Sequence, residues 1–269
     1  MVVVCQEAYF NIPMKSIFSI LVIFFLLISL PNCANDIVSS KEKVRAIENM
    51  GLSLISQGNL RAGLEHLLKA NELDPDNPDL QHELALVYRD LGEYDLSLTH
   101  FKSALDLKPI FPEAQNNLGT LYLILNRWDL AIEFFQKAID NLLYKTPEIA
   151  YNNIGLAFYR KGEFKKAIES YKLALGEVSS YTSCYANLGL AYEAVNNITA
   201  AVNAYESAIA IDPEFWAARL NLGRLYIKLN RTSKAAREFH AIIKADPRSA
   251  LAQEAKSLLA TIETKSKTK

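Results

Sequence analysis

The stretch PEIAYNNIGLAFYRKGEFKKAIESYKLAL, residues 147–175, decides how this chain folds. It reads as helix, yet its first half holds Asn152, Asn153 and Gly155 close together. Asn costs up to about 0.7 kcal/mol against Ala in a helix interior, and Gly about 1 kcal/mol. The same poor helix formers return as IENMG (47–51), QNNLG (115–119), YANLG (185–189) and RLNLG (219–223). A defect repeated at one place is a design element, and its spacing gives the period.

Aligning Gly51, Ala85, Gly119, Gly155, Gly189 and Gly223 gives intervals of 34, 34, 36, 34 and 34 residues. Units then start at Val44, Pro78, Pro112, Glu148, Thr182 and Trp216. Position 11 is Leu54, Tyr88, Tyr122, Phe158, Tyr192 and Tyr226, and position 20 is small throughout: Gly63, Ser97, Ala131, Ala167, Ala201 and Ala235. Position 24 is bulky: Leu67, Phe101, Phe135, Tyr171, Tyr205 and Phe239. Position 27 is Ala70, Ala104, Ala138, Ala174, Ala208 and Ile242. Pro75, Pro109, Pro213 and Pro247 close four of the units, where proline removes an N–H and restricts the residue before it.

This pattern resembles the tetratricopeptide repeat, a helix-turn-helix unit of 34 residues. The resemblance covers six copies, 44–249, and implies an all-α right-handed solenoid of stacked helix pairs. Positions 4, 7, 8 and 11 form one apolar stripe at helical spacing. Position 8 is small so that the second helix can approach, and position 20 is its small counterpart there. Residues 250–263 repeat a first helix without a second and read as a capping helix, and 264–269 read as a disordered tail. Two junctions depart from the pattern. DNLLYKTPE (140–148) carries two extra residues and predicts a lengthened helix or altered stacking. GEVSSYT (176–182) predicts a looser turn.

Taking about 100° per residue, positions 2, 6, 9 and 13 face away from the partner helix, towards the inner groove of such a solenoid. Position 6 is Asn49, Glu83, Asn117, Asn153, Asn187 and Asn221. An amide carries a donor and an acceptor and so matches a peptide backbone unit. Leu52, Leu86, Leu156 and Leu190 at position 9 interleave aliphatic surface, and Arg160, Arg224 and Lys228 add charge towards the C-terminal end. The groove candidates are therefore Asn49, Leu52, Leu86, Asn117, Asn153, Leu156, Asn187, Leu190 and Asn221, suited to a partly apolar peptide or helix. The competing reading is that these asparagines bond neighbouring repeats and set the superhelix. Asn116 and Asn152, at position 5, are expected to be solvated or to bridge helices, and Cys184 to be a packed thiol.

Residues 1–33 have a different character. Lys15 precedes fourteen nearly unbroken apolar residues, Ile17 to Leu30, and a polar stretch follows. This reads as a secretory signal starting at Met14, with 34–43 as linker. As a helix the apolar run spans roughly 21 Å, short of a bilayer core of about 30 Å, so a permanent membrane anchor is the weaker reading. Leu30-Pro31-Asn32-Cys33 resembles a bacterial lipobox, departing from it at Pro31 and Asn32. It marks Cys33 as a lipidation site, against ordinary cleavage nearby.

The net charge is −1, which argues against nucleic acid as a partner. Cys5, Cys33 and Cys184 cannot make a disulfide framework, and His66, His82, His100 and His240 lack metal-ligand spacing. No Gly-rich phosphate loop occurs, and signal, repeats and cap consume the chain, so no catalysis and no cofactor are expected. Signal, lipobox-like end and six repeats together resemble the pilotin lipoproteins of type IV pilus biogenesis, the PilW/PilF kind. The likeness is carried by MGLSLISQGNLRAGLEHLLKANELDPDNPDLQHELALVYRDLGE (50–93) and the insertion AIDNLLYKTPEIAYNNIGLAFYRKGE (138–163). That resemblance implies a lipoprotein of the bacterial outer membrane, facing the periplasm, with a secretin as protein partner. The alternatives are a general envelope adaptor, for instance one recruiting peptidoglycan hydrolases, or a non-lipidated secreted or membrane-anchored repeat protein.

Overall fold

The structure, a computed structural model, describes residues 41–267, with side chains as far as 262. The signal segment, Met14 and Cys33 lie outside the described residues. Those described form thirteen helices and no strand. First helices of the repeats are α1 (41–56), α3 (Pro78–Asp90), α5 (Pro112–Ile124), α7 (Pro147–Arg160), α9 (Thr182–Ala194) and α11 (Trp216–Lys228). Second helices are α2 (Leu60–Leu73), α4 (Tyr94–Leu107), α6 (Trp128–Ile139), α8 (Phe164–Glu177), α10 (Ile198–Ile211) and α12 (Thr232–Ala245). A final helix, α13, runs Ala250–Lys267.

The chain divides into two compact units, one ending at Glu93 and one starting at Tyr94. The first holds α1 to α3. In the second, each helix packs on the next, and first helices touch one another across repeats, α5 on α7, α7 on α9, and α11 on α13. This is an all-α solenoid of tetratricopeptide-type helix pairs.

The small residue at position 8 does what its spacing predicts. A Cβ built on Gly155 would sit 2.5 Å from Cε1 of Tyr171, and one on Gly189 2.5 Å from Cε1 of Tyr205. Gly119 meets the Phe135 ring at 2.8 Å and Gly223 the Phe239 ring at 2.4 Å in the same construction. The rings of Phe135, Tyr171, Tyr205 and Phe239 are buried because the first helix presents a glycine's bare backbone to them. In the first repeat the pair is Gly51 against Gly63, whose backbone oxygen would lie 3.0 Å from the added carbon.

Each turn within a repeat closes the same way. Gly58, Gly92, Asn126, Gly162, Asn196 and Asn230 have φ between 56° and 83°, the left-handed region that Gly and Asn tolerate. The next residue's N–H reaches back to the last turn of the first helix, as Asn59 to Leu54 O at 2.9 Å and Glu163 to Phe158 O at 2.9 Å. This is the C-terminal capping pattern of an α-helix. Asn197 then accepts from the Ala200 N–H at 3.2 Å and caps α10, which accounts for the Asn196-Asn197 pair as a turn.

The insertion corrects one expectation. The second helix is not lengthened: α6 has 12 residues where the other second helices have 14, α7 gains one residue over the 13 of α3, α5, α9 and α11, and the rest of the extra length enters the connector 140–146. Asn141 ends the helical run there by accepting from the Leu143 N–H at 2.8 Å, an Asx turn that competes with helix. At the other junction α8 continues through Gly176 to Glu177, and residues 178–181 turn, with Tyr181 N–H on Val178 O at 3.2 Å.

Candidate functional site

The groove face is clearest in the second unit, where first helices lie side by side. Two clefts open on it. One of about 500 Å³ is lined by Thr120, Leu123, Ile124 and Asn126 of α5 and its turn, by Trp128 of α6, and by Asn153, Leu156 and Arg160 of α7. The other, about 440 Å³, is lined by Tyr159 of α7, Leu190, Glu193 and Ala194 of α9, and Asn221, Arg224 and Lys228 of α11. The structure thus brings the first-helix candidates Asn153 and Leu156 together in one cleft and Leu190 and Asn221 in the other. All four are half-buried, as expected of side chains lining a concavity.

Asn187 plays a different part. Its Nδ2 donates to Asn152 Oδ1 at 3.0 Å, joining α9 to α7. Asn152 is 7% exposed and also donates to Asn153 Oδ1 at 3.4 Å. So position 5 of one repeat and position 6 of the next form a bridging pair, and Asn152 is a buried structural group. The equivalent pair one repeat earlier is Asn116 and Asn153. There Asn116 Oδ1 is buried without a partner. Only one of these two equivalent bonds is made, and Asn153, whose Oδ1 takes the Asn152 amide, lines the first cleft. Asn117 is half-buried on α5 and lines neither cleft.

The second cleft is electrostatically closed on itself. Glu193 accepts from Tyr205 Oη at 2.8 Å and from Lys228 Nζ at 2.9 Å. Arg224 pairs with Glu254 of α13 and touches Asn221 Oδ1 at 3.4 Å. Burial, with the Glu193 hydrogen bond adding to it, pushes the Tyr205 hydroxyl far up, so it stays a donor. In the first cleft Arg160 is exposed at the mouth, above aliphatic and indole walls.

The first unit offers other chemistry. Asn49 is exposed and lines a cleft of about 520 Å³ with Arg45, Glu48, Asp74, Asn77 and Asp79. Leu52 packs in part against that unit's core, and Leu86 is half-buried. Burial raises the Glu83 carboxyl, with Glu48 and Asp79 adding to it. Asn49, Leu52 and Leu86 therefore do not reproduce the amide-and-leucine clefts of the second unit.

Trp128 escaped the sequence reading because the helical projection covered first helices only, and Trp128 opens a second one. Its aromatic character directly after an Asn-Arg turn was the available signal. Cys184 is fully buried, bonds to the Tyr171 backbone oxygen at 3.4 Å, and burial pushes its thiol up to about 12. Among the described residues no three His, Cys, Asp or Glu side chains gather as metal ligands. No described helix is long and apolar enough to cross a membrane.

Paired helices, close-packed glycines and a face of half-buried amides and leucines define a tetratricopeptide scaffold, a protein-interaction class. The chain belongs to the tetratricopeptide repeat family: models so described match residues 48–109 and 82–142, 149–176, and 194–260. No curated protein matches it in sequence. Among solved structures it is similar to PilW, described as a widely conserved type IV pilus biogenesis factor, at TM-score 0.73 and 21% identity, covering 78% of this chain and 97% of that one. PilF of Pseudomonas aeruginosa gives TM-score 0.70 and 21% identity, covering 81% and 99%. YrrB, described as having an unusual peptide-binding site, gives TM-score 0.53 and 19% identity, covering 71% and 97%. At these identities the likeness establishes the fold, and 410 chains share it, so the partner is a separate question.

Proposed function

We propose that the chain is a lipid-anchored envelope scaffold whose second unit holds an extended, partly apolar segment of a protein partner, and that it serves type IV pilus assembly as a pilotin-like factor for the secretin. One observation carries the binding reading: two clefts on successive first helices each join a half-buried asparagine to a half-buried leucine. The amide can pair with a peptide unit of any sequence. The leucine and the neighbouring Ile124 and Trp128 take up an apolar side chain, and Arg160 favours an acidic residue beside it. Nothing in the arrangement calls for catalysis. The pilus reading draws support from the likeness to PilW and PilF over nearly their whole lengths, and from the lipobox-like end at Cys33. The runner-up is an envelope adaptor for another partner.

Deleting the protein should reduce assembled secretin multimers, and Leu156→Asp or Asn153→Ala should reduce them in part. Unchanged multimers on deletion would sink the pilus role. Deletion that matters while both variants behave as wild type would move the contact off this face. The adaptor reading predicts intact multimers together with loss of a different envelope protein from the captured set.

A further inference from the structure

Leu142 and Leu143 stand on the connector between α6 and α7 at 99% and 85% exposure, and Ile110, on the connector before α5, is 73% exposed. Among the described residues no other large apolar side chain is so exposed. The α6–α7 connector is a built turn. Asn141 Oδ1 holds the Leu143 N–H at 2.8 Å, and the Tyr144 N–H donates to the Asn141 carbonyl at 3.0 Å. Tyr144 itself is buried, 8% exposed, and anchors the far side. The two leucines are held outward between an Asx turn and a seated ring. Ile110 takes the corresponding place one repeat earlier: its connector enters α5 as theirs enters α7, and α5 and α7 are in contact.

Isolated exposed apolar residues are ordinary; a cluster on a preorganised projection marks a contact. The composition of the apex selects its kind. Protein hot spots favour Trp, Tyr and Arg over Leu, and none of those sits at this apex. Two leucines and an isoleucine on a convex tip need no shaped pocket and no hydrogen-bond partner, only an apolar phase. Lys145, exposed in the same connector, has a long stem that suits headgroup depth. The reading of 17–30 as a secretory signal and of Cys33 as a lipidation site, on which this inference rests, places the chain beside an envelope membrane.

We infer that the 140–146 turn, together with Ile110, is a membrane-contact tip that inserts Leu142 and Leu143 into the interfacial layer of a phospholipid bilayer. It holds the second unit against the lipid surface and does not depend on what occupies the clefts.

The test uses the full chain with Cys5→Ser and Cys33→Ser, a spin label at Leu142→Cys, and vesicles of phosphatidylethanolamine and phosphatidylglycerol. Buried Cys184 stays unlabelled. On vesicles the label should become accessible to oxygen and lose several-fold in collisions with a water-soluble nickel complex, while a label at Lys165→Cys stays in water. With Leu142→Asp and Leu143→Asp in place, a label at Lys145→Cys should lose lipid contact. A 142 label that remains in water when vesicles are present overturns the inference, whether or not the chain sediments with them. Protection without vesicles, or only on addition of another protein, overturns it in favour of a protein contact.

Discussion

Replacing Gly155 by alanine tests the packing logic of the repeat directly. As a helix substitution it should help, since Ala is better than Gly by about 1 kcal/mol. The structure opposes that gain. The new Cβ would lie 2.5 Å from Cε1, 2.6 Å from Cδ1 and 3.0 Å from Cζ of Tyr171. That ring is 1% exposed, so it has no free space to enter. Overpacking a core of this kind costs about 1–3 kcal/mol, and such short contacts belong to the upper end of that range. The expected net effect is a loss of about 1–2 kcal/mol, the overpacking term less the propensity gain. Gly176→Ala is the control. Gly176 lies in α8 and an added Cβ meets nothing within 4 Å, so that variant should gain about 0.5–1 kcal/mol. The second repeat carries Ala85 at position 8, so the penalty belongs to the close approach at Gly155 and not to the repeat type. Urea unfolding followed by circular dichroism measures both variants, and equal slopes confirm that the same surface is exposed. If Gly155→Ala is as stable as wild type, or gains as Gly176→Ala does, the account of the glycine is refuted.

Asn187→Ala should cost about 1–3 kcal/mol, because it strands the buried Asn152 oxygen; pairing it with Asn152→Ala in a double-mutant cycle should show coupling, and strict additivity would mean the bond does not bridge the repeats. Native Cys184, its thiol pushed up to about 12, should resist iodoacetamide at neutral to mildly basic pH and react only on unfolding; mass spectrometry of its peptide checks this, and alkylation at the rate of a free thiol would refute the burial. Glu83 has a raised carboxyl, so its neutral form is the one the fold prefers. Its destabilising charge is absent below the ordinary value of 4.5 and grows as pH rises from there through the folded value. Glu83→Gln should therefore raise the urea midpoint at pH 7 more than at pH 4, and an equal gain at both would remove charge as the cause.

Much of the fold was legible in the chain because it is written as a period. Spacing alone marked Gly155 as the small site where the second helix approaches, with Ala167 as its counterpart and Tyr171 as a core side chain; the structure seats the Tyr171 ring against Gly155. Gly58 and Asn126, related by two periods, take the same left-handed turn. The candidate site was legible only in part. The projection that placed Asn153 and Leu156 on one face used a single helix, so it could find neither Trp128, which arrives from α6, nor Glu254, which reaches Arg224 from α13. The insertion was read as a lengthened helix or altered stacking; Asn141 turns the chain in a longer connector, and such a choice rests on one side-chain bond with no periodicity behind it.

The sequence by itself determined which side chains of each helix meet its partner, because burial follows helical geometry that neighbouring residues set locally. Only the tertiary structure decided what each asparagine does. Asn152 and Asn153 are adjacent and chemically identical, yet one is buried in a bridge to Asn187 and the other lines a cleft. That difference depends on how far apart two first helices lie and in what register, to within the reach of a hydrogen bond. The same holds for Leu142 and Leu143, whose exposure follows from where the Tyr144 anchor sits.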